Sequence, residues 1–395
     1  MNIIQGKIEC RPQETGYDAS RLDVLNRHLQ RLIDNGMISG AVYTISHKGK
    51  IIANASMGAG SRISDKKMMP DTIWPIASIT KTFTAVAIMQ LVEDGYIRLD
   101  NKVGDILPQF SKPPFDTITI MHLLTHTSGL YPDHSCFPDS APKSAWELIE
   151  TAEKLWDKTG EFDWISAGIS PGLRAPVGTQ WLYCSFGFAI LGEIITKVSG
   201  QFAHDYIVER IIRPLNMNDT GFLITPDKAE RCFINDEDHN QMINYVLSGK
   251  SDGNEDKGSI WEKIPNTGGG LYSTTTDLIR FANAMLYGGR LEDARILGRK
   301  AVEKMTTNQL SNIPDICWDH NEHDRHYGVG FDMRESDAFT YSKGTYLHEG
   351  FGASAMYIDP KEELAAVWFV PFANIESWFP DPLYNVQNTI WSGLI

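Results

Sequence analysis

The sequence predicts an α/β protein: an antiparallel sheet built from both ends of the chain, flanked by terminal helices, with a mainly helical lobe from the middle. Three observations predict this. Strand-like patterns lie at 41–55 and again after residue 327. The segments between them carry helical periodicity. Helices are expected near both termini, the first with a single apolar stripe. Such a chain closes its sheet by pairing the N-terminal hairpin with the C-terminal strands. The expected division is 1–76 with 325–395 as a discontinuous α/β lobe and 77–324 as the helical lobe, with the active site between them.

A helix is expected at 19–34, because Leu22, Leu25, Leu29, Leu32 and Ile33 form one stripe, Asp18 can cap the start and Asn35-Gly36 ends it. Strands at 41–45 and 51–55 flank a turn at His47-Lys48-Gly49. A polar stretch, 61–70, leads to a long apolar run after Ser78 that stops near Asp94-Gly95. A short helix is expected at 120–124, and 131–180 is a long Pro-, Gly- and Trp-rich connection with one helix at 144–156. Connections of that length often form lids or binding walls, and Trp146, Trp156, Trp164 and Trp181 are candidates to line a cleft.

Helices are expected at 186–198 and 202–212. The acidic stretch 230–265 reads as a solvated excursion. Gly268-Gly269-Gly270 marks a close backbone approach, and a cap at Thr275 or Thr276 starts a helix to Leu286. Strands are expected at 327–333, 346–358 and 364–372, the last two around a turn at Asp359-Pro360-Lys361. A helix at 382–393 closes the chain.

The chain has 395 residues, 42% of them hydrophobic, which is ample for a large core. Its net charge of −14 and the lack of a basic stripe speak against nucleic acid and anionic membranes as partners. The five cysteines (Cys10, Cys136, Cys184, Cys232 and Cys317) are scattered and read as free thiols. There is no run of about 18 apolar residues to span a membrane. The first residues show no charged leader with an apolar core, so the expectation is a cytoplasmic protein. His320, His323 and His326 have a spacing that zinc could use. Without an apolar framework beside them they read as a solvated loop, so no metal and no cofactor are expected.

The chemistry centres on Ser78-Ile79-Thr80-Lys81. Residues three apart share a helix face, so Lys81 can reach Ser78. A serine hydroxyl needs a base or a nearby cation to become a nucleophile. The first amides of a helix also lack internal partners and favour negative charge. The same spacing occurs at Ser64/Lys67 and Ser140/Lys143, in polar or Pro-rich surroundings. Spacing alone favours a capping serine and a solvated lysine, and context has to overturn that reading. Only Ser78 precedes a run apolar on nearly every side, the mark of a buried helix. His126, in Leu124-Thr125-His126-Thr127-Ser128-Gly129-Leu130, reads as a structural histidine of the turn rather than a base.

Taken together, these motifs resemble the serine β-lactamase-like superfamily. The nearest branch holds class C β-lactamases, D-Ala-D-Ala carboxypeptidase-type peptidases and family VIII carboxylesterases. Ser78-Ile79-Thr80-Lys81 matches its Ser-x-x-Lys motif, Leu124–Leu130 its turn signature, and the stretch from Gly269 to Leu278 its post-cleft helix start. Tyr183-Cys184-Ser185 stands where the family has Tyr-x-Asn. His348-Glu349-Gly350 stands where it has Lys-Thr-Gly or a His-x-Gly variant. The resemblance implies a β-lactamase-like fold with Ser78, Lys81 and Tyr183 as the catalytic group. It also implies an oxyanion hole from the backbone N–H groups of Ser78 and Phe351, and substrate contacts at Ser185, His348, Glu349 and Gly350.

The implied reaction is acyl transfer to Ser78 and then to water, with Lys81 or Tyr183 as the first base. Neither is a base at neutral pH unaided. Burial would favour neutral lysine, and the lysine cation would favour phenolate. The implied substrate is a small-molecule ester or amide. In penicillin- and D-peptide-processing relatives the motif asparagine holds the acyl-side amide. A serine at 185 lacks that group, so the reading favours a carboxylesterase-like hydrolase over a D-amino-acid peptidase or amidase, with a β-lactamase third. A catalytically silent ligand-binding protein on the same fold would be expected to have lost Ser78, Lys81 or Tyr183, and all three are present.

Overall fold

A computed structural model describes residues 2–137, 144–238, 240–241, 244, 260–319, 323–333, 339–372 and 385–395. A six-stranded antiparallel sheet joins the two ends of the chain, as expected. Across the sheet the strands run Ile4–Gln5, Lys50–Gly58, Gly40–His47, Leu364–Phe369, Ser354–Asp359 and Tyr346–Gly350. The seam is the pairing of Gly40–His47 with Leu364–Phe369, in register from Leu364 opposite His47 to Phe369 opposite Val42. The hairpin turns on Lys48 and Gly49, both at positive φ, as a two-residue turn with the twist of its strands requires.

Alternation along the strands divides the residues between two cores. Tyr43, Ile45, Ala366 and Trp368 face the terminal helices Ser20–Asp34 and Asn385–Trp391, meeting Leu25, Leu29, Val386 and Ile390. Asp18 accepts a hydrogen bond from the Ser20 amide at the start of the first helix (2.9 Å). On the other face Val42, Ala365, Val367 and Phe369 join the core of the helical region, with Phe83, Ile190 and Phe281. The helix Thr275–Leu286, assigned from the sequence to the helical lobe, packs directly on this face. Its Thr275 and Asn283 accept hydrogen bonds from Thr44 and Ser46 (2.8 and 3.0 Å). Its N-cap is Thr274, one residue before the expected caps, which accepts from the Asp277 amide.

The run after Ser78 forms the helix Thr80–Glu93, in which every residue from Thr80 to Leu91 is buried. Burying side chains such as Phe83, Val86 and Leu91 stabilises by roughly 1.5–3 kcal/mol each, so the helix is anchored independently of its chemistry. Other helices lie close to their expected places, among them Ala145–Leu155, Ser185–Ser199 and Ala203–Ile207, the last continuing as a π-turn over Val208–Ile212.

Two strand expectations are corrected. Residues 327–333 are not a strand: Tyr327 pairs with Asp332 through an isolated bridge, because Gly330 turns the chain at φ +74. A Cβ there would lie 2.4 Å from Ala85 of the serine helix. The single strand expected at 346–358 is two strands, Tyr346–Gly350 and Ser354–Asp359. The turn between them has Gly352 and Ala353 at positive φ. Half of the acidic stretch 230–265, including 245–259, and His320 lie outside the described residues.

Candidate active site

Ser78 sits in a single 3-10 turn, Ala77–Ile79, at the entry to the buried helix. Ala77 holds the left-handed conformation at φ +46, which costs a non-glycine residue energy and persists only where its surroundings enforce it. They do so here. The Ile76 amide donates to Leu271 O (2.9 Å) and the Leu271 amide to Thr80 Oγ1 (3.1 Å). Thr84 Oγ1 donates to Thr267 O (2.7 Å). The glycine run 268–270 is thereby laced to the serine helix. A Cβ on Gly268 would lie 2.8 Å from Ser185 O, which accounts for the glycine there.

Lys81 is fully buried. Its Nζ donates to Ser78 Oγ (3.0 Å), Ser185 Oγ (2.9 Å) and Gly268 O (2.7 Å), which uses all three of its protons. Burial lowers its pKa to about 8 against the opposing pull of Asp133, Cys184 and Cys136. The Nζ also stands 4.7 Å from the centre of the Tyr183 ring, over the ring face. The phenol of Tyr183 is held well above its ordinary pKa, first by burial and then by the charge of Asp133, while a hydrogen bond with Ser78 pulls the other way. Ser78, Lys81 and Tyr183 therefore meet at one point. Of the other Ser-x-x-Lys copies, Ser64 and Lys67 are exposed and the second lies outside the described residues.

Tyr183 is placed by His126, which is buried, at φ +57 and wedged among Trp181, Tyr183, Phe188 and Tyr327. His126 Nδ1 accepts from the Cys184 amide (3.0 Å), and its carbonyl accepts from the Leu182 amide (2.8 Å). Burial, reinforced by the charges of Lys81, His348 and Arg325, holds its pKa well below 6.5, so the ring is neutral at pH 7. This geometry fits the structural reading. Trp181 lies behind Tyr183 as core, beneath the Arg325 guanidinium (4.5 Å), rather than on a cleft wall. Trp318, which the sequence did not single out, packs on the Tyr183 ring at 5.2 Å.

From the sheet side, the end of Tyr346–Gly350 presses on the serine turn. A Cβ on Gly350 would lie 2.3 Å from Ile76 O, and Ser354 Oγ donates to that same oxygen (3.2 Å). Only glycine lets the strand this close, and Phe351, the expected second oxyanion donor, follows directly. His348 is buried, with Nδ1 at 2.8 Å from Glu349 O. Glu349 corrects an expectation. Alternation sends its side chain to the opposite face, where its carboxylate accepts from Tyr357 (2.7 Å), so the side chain is not a substrate contact.

Ser185, expected to face substrate, turns inward: its hydroxyl accepts from Lys81 and donates to Asp133 Oδ2 (2.6 Å). Asp133 is the residue that sequence reasoning missed. It also accepts from the Ser185 amide (2.8 Å), and its own amide donates to Tyr183 O (2.8 Å). Its only sequence signal was its place just after the Leu124–Leu130 signature. Among the described residues no group of three His, Cys, Asp or Glu could hold a metal. No helix among them is long and apolar enough to cross a membrane. All five cysteines are free thiols.

This serine turn, buried lysine and sheet-borne glycine define a serine β-lactamase-like fold, and comparison agrees. The Beta-lactamase family profile matches residues 25–379, and the chain belongs to that family. It is 24% identical over 395 residues to an Escherichia coli (strain K12) protein described as "Putative D-alanyl-D-alanine carboxypeptidase", covering 91% of this chain and 84% of that one. It is 30% identical over 220 residues to esterase EstB of Burkholderia gladioli, covering 52% of each. A solved family VIII carboxylesterase superposes with a TM-score of 0.70 at 17% identity, covering 98% of this chain and all of that one.

Proposed function

We propose that this protein is a serine hydrolase working through an acyl-enzyme on Ser78, with small esters as substrates. The observation that carries the reading is the 3.0 Å contact between Ser78 Oγ and a fully buried Lys81 Nζ. With its pKa near 8, about one lysine in ten is neutral at pH 7, whereas Tyr183, pushed the other way, stays a phenol. Lys81 is therefore the first base. Ser78 Oγ attacks the carbonyl carbon as its proton passes to Lys81 Nζ. The oxyanion is held by the backbone N–H groups of Ser78 and Phe351. Tyr183 gives its proton to the leaving alkoxide and recovers one from Lys81. Water then attacks the acyl-enzyme by the reverse route and frees the acid.

The preference for esters rests on Ser185. Its one proton goes to Asp133 and it accepts from Lys81, so it offers no donor to an acyl-side amide. The likeness to EstB supports this choice. The test is a hydrolysis panel of short-chain p-nitrophenyl esters, D-alanyl anilide and nitrocefin, with Ser78→Ala as the blank. Esters should be cleaved fastest and Ser78→Ala should cleave none. Faster anilide or nitrocefin cleavage would replace the ester reading with a D-peptidase or β-lactamase.

A further inference from the structure

We propose that Asp133 is a positioning residue for the reaction, setting the ionisation and orientation of Lys81 through the hydroxyl of Ser185. The inference rests on the acyl-enzyme reading above and adds to it a residue outside the family motifs named in the sequence. Asp133 lies on the connection after Leu130, yet its contacts converge on the reacting group. Oδ1 accepts from the Ser185 amide at 2.8 Å, Oδ2 accepts from Ser185 Oγ at 2.6 Å, and the Asp133 amide donates to Tyr183 O at 2.8 Å. Ser185 Oγ in turn accepts from Lys81 Nζ at 2.9 Å. A hydroxyl has one proton. Because the carboxylate takes it, the lone pairs of Ser185 Oγ point at the lysine. A shortened side chain at 185 is thus completed by an acid from another segment.

A carboxylate one hydroxyl away also offsets the cost of burying a cation. The groups facing Lys81 are few. Asp133 and Cys136 come from the connection, and Cys184 is the N-cap of the helix Ser185–Ser199. Tyr183 faces it with its ring, and His126 lies close enough to feel its charge but is neutral. On the sheet side His348 lies close enough to act on His126. The connection supplies the one carboxylate named among these.

The experiment is the rate at which a fluorophosphonate labels the serine, measured against pH, which needs no knowledge of the natural substrate. In the wild type the rate should rise with pH as Lys81 loses its proton. Asp133→Asn keeps the shape and removes the charge, so the midpoint should move to lower pH by about one unit. Asp133→Glu keeps the charge and should keep the wild-type midpoint even if the rate falls. A midpoint unmoved in Asp133→Asn, or moved equally in Asp133→Glu, would overturn the role assigned to Asp133. If Asp133→Asn does not fold, Ser185→Ala, which removes the hydroxyl linking Asp133 to Lys81, decides: a midpoint moved from the wild-type value supports the proposal and an unmoved one overturns it. A wild type that is not labelled at all would overturn the acyl-enzyme reading itself, and this inference with it.

Discussion

Ser78, Lys81, Tyr183 and Ser185 are held by side-chain hydrogen bonds and ring contacts running between three segments, whereas the sheet meets the same serine turn through the close approach of Gly350 and a hydrogen bond from Ser354 Oγ to Ile76 O. On the helical side each group is surrounded: Lys81 spends three protons on three acceptors and Ser185 bridges it to Asp133. On the sheet side a glycine makes the contact and the next residue, Phe351, is 53% exposed. The buried side can tune proton affinities because it excludes water. The open side can admit a substrate and offer it backbone donors. On the proposed mechanism the difference separates residues that set chemistry from those that set access.

Breaking the buried side should cost most. Lys81→Ala removes the proposed base and is expected to lower kcat on the best ester by about 10³-fold or more, with little change in KM. A loss mainly in KM would contradict its role. Gly350→Ala attacks the open side. Its Cβ cannot fit 2.3 Å from Ile76 O, so the strand must withdraw. Because displacements of this size misplace reacting groups, we expect about a 10²-fold loss in kcat/KM, with a lowered Tm from overpacking. Wild-type activity would mean that the strand contributes no oxyanion donor.

Smaller effects sharpen the boundary between the two sides. His126→Leu strands the Cys184 amide in a buried site, at a cost of about 1–3 kcal/mol read as a lowered Tm. Activity should fall less than in Lys81→Ala. An unchanged Tm with activity lost would make His126 a catalytic group. Ser185→Asn restores the family's usual residue beside Asp133. It should shift the ratio of D-alanyl anilide to ester cleavage upward, and an unchanged ratio would sink the ester argument.

The parts of this arrangement that follow from local pattern were legible in the sequence. The hairpin, the buried serine helix and the helix Ile120–Leu124 each carry their own periodicity or turn chemistry, and Ser78, Lys81 and Tyr183 come with recognisable neighbours. What was not legible depended on partners distant in sequence. The turn at Phe351–Ala353 hides in an apolar run that alternates like one strand, because Ala353 gives no sign of its positive φ. The side of the sheet taken by Glu349 follows from register, which pairing with Ser354–Asp359 and the bridge from Leu347 to Asp332 fix. Asp133 carries no motif. Its meaning comes from a hydrogen bond to a residue 52 positions away.

The claim on which everything else depends is that Ser78 is the nucleophile. Intact-mass analysis and peptide mapping after treatment with a fluorophosphonate test it directly. The expected result is one adduct per chain, on the peptide containing Ser78, and none on Ser78→Ala. An adduct of equal yield on Ser78→Ala, or one mapped to another serine, would contradict it.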